Sequence, residues 1–177
     1  MDIIAKPTAI ITAVFMTLLA IHAVTARADP LTPHQQLTRD IYQELIEINT
    51  VTATGDTAKA AESMAARLRS AGFTGADLQV FTPAPRKGNL VARLHGTGVK
   101  KPILLLAHLD VVEAKREDWS VDPFKLLEKD GYFYARGSGD DKAMAAIFVA
   151  NLIRYRQGTS ASSSNPFTKG RNTCTDW

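Results

Sequence analysis

Cysteine is almost missing from this chain: Cys174 is the single one in 177 residues. A lone thiol closes no internal disulfide, so a disulfide-built scaffold is excluded. Runs of like charge are missing too. The formal charge is +3, and the only charged residues before Asp29 are Asp2, Lys6 and Arg27. The rest of the chain then holds 19 basic and 17 acidic residues, spread without blocks. That leaves no footprint for nucleic acid. No internal repeat occurs. The phosphate-loop pattern is absent, because Lys142 is followed by Ala143 and not by Ser or Thr. The dinucleotide fingerprint needs three spaced glycines, and Gly137-Ser138-Gly139 offers two. Neither a G-x-S-x-G elbow nor a Ser-His-Asp arrangement is present. What remains is an ordinary globular composition, 45% hydrophobic, with length for one domain and not two.

The first segment reads as an address. Lys6 precedes a stretch from Pro7 to Ala26 with no Asp, Glu, Lys or Arg, whose core is Ile10 to Val24. It ends in Ala26-Arg27-Ala28, small residues at the two positions a signal peptidase reads. The expectation is a signal peptide over residues 1–28, cleaved before Asp29, with export to the periplasm or medium. The run is short for a membrane span of about 20 residues, so the membrane is met only during export. His22 lies inside this segment and carries no chemistry.

The chain beyond it alternates helix and strand signals. Thr32-Pro33 opens a helix, and Leu37, Ile41, Leu45 and Ile48 recur at helical spacing. Asp56 or Thr57 caps a second helix lined by Ala60, Ala61, Met64 and Leu68, closed by Gly72. Leu78 to Phe81 is a short strand, Pro83-Ala84-Pro85 a loop, and Leu90, Ala92 and Leu94 mark one face of a second strand. Ile103 to Ala107 is a continuous apolar run, which predicts a central strand covered on both faces. Asp130-Gly131 turns into a strand over Tyr132 to Ala135. A last helix spans about Asp141 to Arg156. One stripe of it is Met144, Ile147, Phe148, Asn151, Leu152 and Tyr155; Ala145, Ala146, Val149, Ala150 and Ile153 fill the rest. A helix apolar all round predicts burial. Helices, strands and a helix give an α/β layered domain over residues 29–157. Residues 158–177, small and polar, are expected to be disordered.

Two segments could carry chemistry. His108-Leu109-Asp110 ends the apolar strand, where function gathers in open α/β sheets. Positions i and i+2 of a strand face the same way, so His108 and Asp110 can serve one site. A neutral imidazole ligates zinc well, and a carboxylate beside it can fix its tautomer. The plainer reading is a satisfied histidine and a turn aspartate. Gly137-Ser138-Gly139-Asp140-Asp141-Lys142 joins a strand to the last helix. Two carboxylates there suit a helix N-terminus as plain caps, or one of them bridges metals from a tight glycine turn. His34 and His95 sit at a helix start and a strand end and weigh little.

Together the segments are more specific. Leu104 to Val112, then Asp118-Trp119-Ser120-Val121-Asp122-Pro123-Phe124, then Asp130 to Lys142 resemble the signature of zinc metallopeptidase family twenty. That superfamily includes aminoacylases, carboxypeptidase G, acetylornithine deacetylase and succinyl-diaminopimelate desuccinylase. The helix Leu37 to Ile48, the helix Ala60 to Gly72 with Phe73, and Gly88 to Arg93 are similar to it in the same order, so the resemblance covers residues 33 to 157. It implies the incomplete N-terminal part of a catalytic domain, a central mixed sheet flanked by helices, built to hold two zinc ions. It implies that His108 ligates one zinc, that Asp110 orients His108, and that Asp140 bridges both metals, with Asp141 the more variable neighbour. The implied reaction is metal-assisted hydrolysis with a glutamate as general base.

The chain departs from that family in two ways. Ala143 stands where many members have glycine. The paired glutamates, the further acidic ligand and the last histidine that should come later have no counterpart: Glu128 comes too early, and no Glu or His follows Gln157. The family's inserted dimerisation domain is absent as well. The expected function is an exported zinc-dependent hydrolase of peptide or N-acyl amino acid bonds, truncated before its general base and remaining ligands. The alternative is an inactive remnant or a non-enzymatic binding fragment of that family.

Overall fold

The computed structural model describes residues 29–164, so the expected signal peptide and residues 165–177 lie outside the described residues. Helix α1 spans Pro33–Glu47. Thr32 caps it: its hydroxyl accepts from the Gln35 N–H at 3.3 Å, and the Gln35 amide oxygen accepts from the Thr32 N–H at 2.9 Å. This reciprocal box satisfies two donors that a helix start leaves open. Ile41, Tyr42, Leu45 and Ile46 are its buried face. Helix α2, Thr57–Ser70, starts at Asp56, whose carboxylate accepts from the Lys59 N–H at 2.8 Å. It buries Ala60, Ala61, Met64, Ala65 and Leu68.

Strands β1 (Leu78–Ala84) and β2 (Lys87–Ala92) form an antiparallel hairpin in which Val80 faces Leu90 and Leu78 faces Ala92. β1 runs to Ala84, through the expected loop, and the turn falls on Pro85 and Arg86. The hairpin packs on α2 so closely that a Cβ on Gly88 would lie 2.4 Å from the Ala58 Cα, which only glycine allows. At the hairpin tip the Arg86 carbonyl accepts from the Thr57 N–H at 3.0 Å, and its guanidinium donates to the carbonyls of Gly55 and Ala53. A second hairpin joins β3 (Leu127–Lys129) to β4 (Tyr132–Tyr134) through Asp130 and Gly131. Both turn residues have positive φ, 54° and 78°, as a two-residue hairpin turn of this hand requires.

Helix α3 spans Lys142–Ser164. It runs on through Gly158 to Ser164, past the expected break at Gln157, since extending an established helix costs little per residue. Its burial is one-sided. Ala145, Ala146, Val149, Ala150 and Ile153 are buried, whereas Met144, Ile147 and Tyr155 are exposed. The expectation of burial all round is corrected: the face with Ala145, Ala146, Val149, Ala150 and Ile153 packs within the core, while Met144 and Ile147 stay exposed.

The α/β character holds, with three helices and two small antiparallel sheets among the described residues. The central mixed sheet does not. Residues 103–107 pair with no strand, and Ile103, Leu104, Leu105 and Leu106 are 86%, 79%, 50% and 73% exposed. An apolar run implies burial on two faces only where two layers exist; here Ala107 and Leu109 touch the core and the other side is open. Just beyond, a single parallel bridge links Val51 to Val111, with the Val111 N–H donating to the Thr50 carbonyl at 3.3 Å.

One buried charge ties the helices together. The Lys142 side chain is fully buried, and its Nζ donates to the Leu45 and Ile48 carbonyls, each at 2.8 Å. These groups close the C-terminus of α1, whose last turn has no basic residue of its own. A cation there meets open carbonyls and the negative end of the helix dipole. Burial pushes the Lys142 ammonium down to about 8, which leaves it charged at neutral pH. An unfolded lysine titrates near ~10.4, so between the two values the unfolded chain binds more protons and stability rises with pH. Lys142→Met should cost about 2–4 kcal/mol in urea unfolding at pH 7. The native chain should gain stability from pH 8 to 10 by more than the variant does.

Candidate functional site

The two chemically promising segments meet. Tight packing brings them together: a Cβ on Gly137 would lie 2.7 Å from Val111 Cγ1, and Gly137 has φ +81°. Only glycine satisfies both the conformation and the contact, so the Gly137 turn can lie directly against the 108–111 segment. The Arg136 N–H donates to the Pro123 carbonyl at 2.8 Å, and its guanidinium donates to the Glu113 carbonyl at 3.2 Å while stacking 5.1 Å from the Trp119 ring centroid. From the other side the Tyr42 hydroxyl donates to the Ser138 carbonyl at 3.0 Å. The Lys142 N–H closes the loop onto the Gly137 carbonyl at 3.3 Å.

The result is a pocket of about 360 Å³ with His108, Asp110, Arg136, Ser138 and Asp140 on its lining. His108 Nε2 lies 2.8 Å from the Asp140 carboxylate. His108 Nδ1 lies 3.0 Å from the Asp110 carbonyl oxygen and 3.4 Å from its carboxylate. Asp110 was expected to orient the ring through its carboxylate; its backbone carbonyl is the nearer acceptor. Asp140 spends its carboxylate on His108 and is 92% exposed on its side chain. Its neighbour Asp141 caps α3 through its backbone, its carbonyl accepting from the Ala145 N–H at 3.1 Å. The Asp140–Asp141 peptide bond is cis. His34 and His95 do not line the pocket, and His95 pairs with Asp77 at 2.8 Å.

The arrangement makes one chemical demand. A carbonyl oxygen can only accept, so the Asp110 carbonyl takes the Nδ1 proton. In the neutral ring Nε2 then offers a lone pair, and that lone pair faces a carboxylate oxygen at 2.8 Å. Two acceptors at that distance need a positive charge between them, a proton or a metal ion. With a proton there, the hydrogen bond to Asp140 is the largest cause raising the His108 pKa above its ordinary value. An imidazole nitrogen and a carboxylate are also donors of the kind that zinc takes, so an ion held by both would supply that charge in place of the proton. His108 and Asp140 therefore fit a metal as two donors. No group of three or more His, Cys, Asp or Glu able to hold a metal is found among the described residues.

Sequence reasoning placed His108, Asp110 and Asp140 and passed over Lys142, Tyr42 and Arg136. Lys142 carried a usable signal: it stands three and four residues before Ala145 and Ala146, on the buried face of α3. Tyr42 and Arg136 carried none, because their partners lie far off in sequence. In an NMR titration His108 should show a midpoint above the ordinary ~6.5. Asp140→Asn should return it toward that value, since the carboxylate that holds the proton is gone.

Comparison with known proteins adds context. The family model described as peptidase family M20/M25/M40 matches residues 104–162. The succinyl-diaminopimelate desuccinylase of Delftia acidovorans is 35% identical over 128 residues, 71% of this chain and 33% of that protein. The acetylornithine deacetylase of Vibrio campbellii is 34% identical over 120 residues, 65% of this chain and 30% of that protein. The human N-fatty-acyl-amino acid synthase/hydrolase PM20D1 is 48% identical over 59 residues, 32% of this chain and 12% of that protein. The chain thus spans about a third of the length of the first two.

Proposed function

We propose, from the premise that the chain belongs to peptidase family M20/M25/M40 as its N-terminal part, that it carries the first metal-binding half of a site hydrolysing amide bonds in peptides or N-acyl amino acids. The observation that carries this reading is the 2.8 Å gap between His108 Nε2 and the Asp140 carboxylate, which calls for a cation. The relatives named as desuccinylase, deacetylase and N-fatty-acyl-amino acid hydrolase point to amide substrates. Zinc suits an imidazole and carboxylate donor pair. When bound, such an ion supplies Lewis acidity toward the scissile carbonyl and toward an attacking water. The chain's own residues do the rest of the work assigned here. The Asp110 carbonyl holds the Nδ1 proton and so keeps Nε2 free to ligate, and the Gly137 turn presents Asp140 opposite it.

One observation favours a second reading, a chain that keeps this fold without turnover. His108 and Asp140 are two donors, and catalytic zinc usually has three protein ligands. Among the described residues no glutamate lines the pocket to act as general base. Zinc titration of the whole chain by calorimetry discriminates. Binding weaker than about micromolar, abolished by His108→Ala and by Asp140→Asn, is the expected outcome. Affinity should fall as pH falls through the raised His108 pKa, because a proton then holds the place of the metal. Tight binding indifferent to His108→Ala would reject the site. Turnover of an N-acetyl amino acid that is lost in His108→Ala would reject the second reading.

Export belongs to the same proposal, supported by the apolar run from Ile10 to Val24 and by Ala26-Arg27-Ala28. The mature protein from a secreting host should begin Asp29-Pro30-Leu31 on N-terminal sequencing.

A further inference from the structure

Asp140 stands at the open tip of its loop. Its side chain is 92% exposed, and a Cβ on the preceding Gly139 would meet nothing within 4 Å. Packing around the tip therefore does not hold the carboxylate opposite His108. The loop is held on either side of it, at Ser138 and at Lys142, and both anchors come from α1 and its C-cap. On the far side the Leu45 and Ile48 carbonyls take the Lys142 ammonium. On the near side the Tyr42 hydroxyl donates to the Ser138 carbonyl at 3.0 Å. Tyr42 and Leu45 stand at i and i+3, so the two anchors stem from one face of the helix.

Tyr42 is itself fixed. Its ring belongs to the core, at 7% exposure, and meets Phe133 of β4 edge to face, with centroids 5.3 Å apart and planes at 71°. A ring held on both sides delivers its O–H to one place. Burial pushes the Tyr42 hydroxyl above its ordinary value, so it keeps its proton and stays a donor at neutral pH. The carbonyl that it grips lies two positions before Asp140, with Gly139 between. Glycine backbone is the most permissive in the chain. Between two fixed ends that freedom has little room. With the Ser138 end released, it passes directly to Asp140.

We infer that Tyr42 is a positioning residue for the candidate metal pair: its hydrogen bond to the Ser138 carbonyl holds the loop so that Asp140 meets His108 at 2.8 Å. The inference rests on the reading of His108 and Asp140 as cation donors and adds the group that sets their geometry. Tyr42 acts on the pair through Ser138. Two donors that face each other only part of the time bind a cation more weakly, by the fraction of time they are apart. The net worth of one neutral hydrogen bond corresponds to about three- to ten-fold in such an equilibrium.

The test compares variants of the whole chain. Tyr42→Phe keeps the ring in the core and removes only the O–H. Thr32→Ala removes the cap at the other end of the same helix and matches it in lost stability. Zinc affinity is read by calorimetry above the native His108 midpoint, where no proton competes, and that midpoint is read by NMR without metal. Tyr42→Phe is expected to weaken zinc binding about three- to ten-fold and to move the His108 midpoint down toward that of Asp140→Asn. Thr32→Ala is expected to lose comparable urea stability and to change neither readout. Phe133→Leu loosens the Tyr42 ring and should shift both readouts the same way by less; it carries the test if Tyr42→Phe does not fold. Native values in Tyr42→Phe and Phe133→Leu, or equal shifts in Thr32→Ala, would overturn the inference and leave Tyr42 a core aromatic with a satisfied hydroxyl. The two readings fail separately. A chain that binds no zinc, yet whose His108 midpoint falls in Tyr42→Phe, rejects the metal reading and keeps the positioning role. Zinc binding that needs His108 and Asp140, with both readouts blind to Tyr42→Phe, rejects the positioning role alone.

Discussion

The buried ammonium of Lys142 is the contact on which the rest of this structure leans. It sits at the first residue of α3 and donates to two carbonyls at the end of α1. Burying a charge is costly unless its protons are taken, and here two strong acceptors at a helix C-terminus take them. The bond therefore pins the start of one helix to the end of another. Asp140 precedes that pinned residue by two positions, and Thr50, which anchors Val111, comes two positions after Ile48. Both halves of the candidate site are thereby referred to one fixed point.

From that point the site is built in short steps. The Gly137 turn can press on Val111 because it has no side chain, and Tyr42 holds the loop from below through Ser138. His108 and Asp140 end up facing each other as lone pair and carboxylate, an arrangement stable only around a positive charge. Tyr42 also meets Phe133 edge to face, so one side chain touches both strand β4 and the loop that presents Asp140. A change at Tyr42 would be felt in both.

The scaffold is lopsided around this site. α1, α2, the first hairpin and one face of α3 enclose a core with Ile41, Leu45, Ile46, Met64, Leu68 and Phe73 at less than 2% exposure. On the other side Ile103 to Leu106 carry unpaired backbone and open leucine side chains right up to His108. An unpaired apolar segment of this kind invites pairing with any available strand. The anchors of His108 accordingly lie on its C-terminal side, in the Asp110 carbonyl and the Val111 bridge to Thr50, and not in the open segment before it.

The sequence by itself determined the local features. Thr32-Pro33 and Asp56 set the helix starts, Asp130-Gly131 set a hairpin turn, and the composition excluded disulfide, phosphate-loop and serine-hydrolase designs, each because the signal lies within a few residues. It also singled out His108, Asp110 and Asp140, since their motif is contiguous on each side. Only the tertiary structure decided what those residues face. That the Asp110 carbonyl outcompetes its carboxylate for Nδ1 depends on a loop path that periodicity does not encode. Lys142 stands in the same motif with no local sign of its partners, and its burial depends on α1 ending where α3 begins. The apolar stretch before His108 read as a covered strand because composition registers what a segment can bury. Whether it is buried depends on a second layer, and hydrophobic burial is a property of both partners.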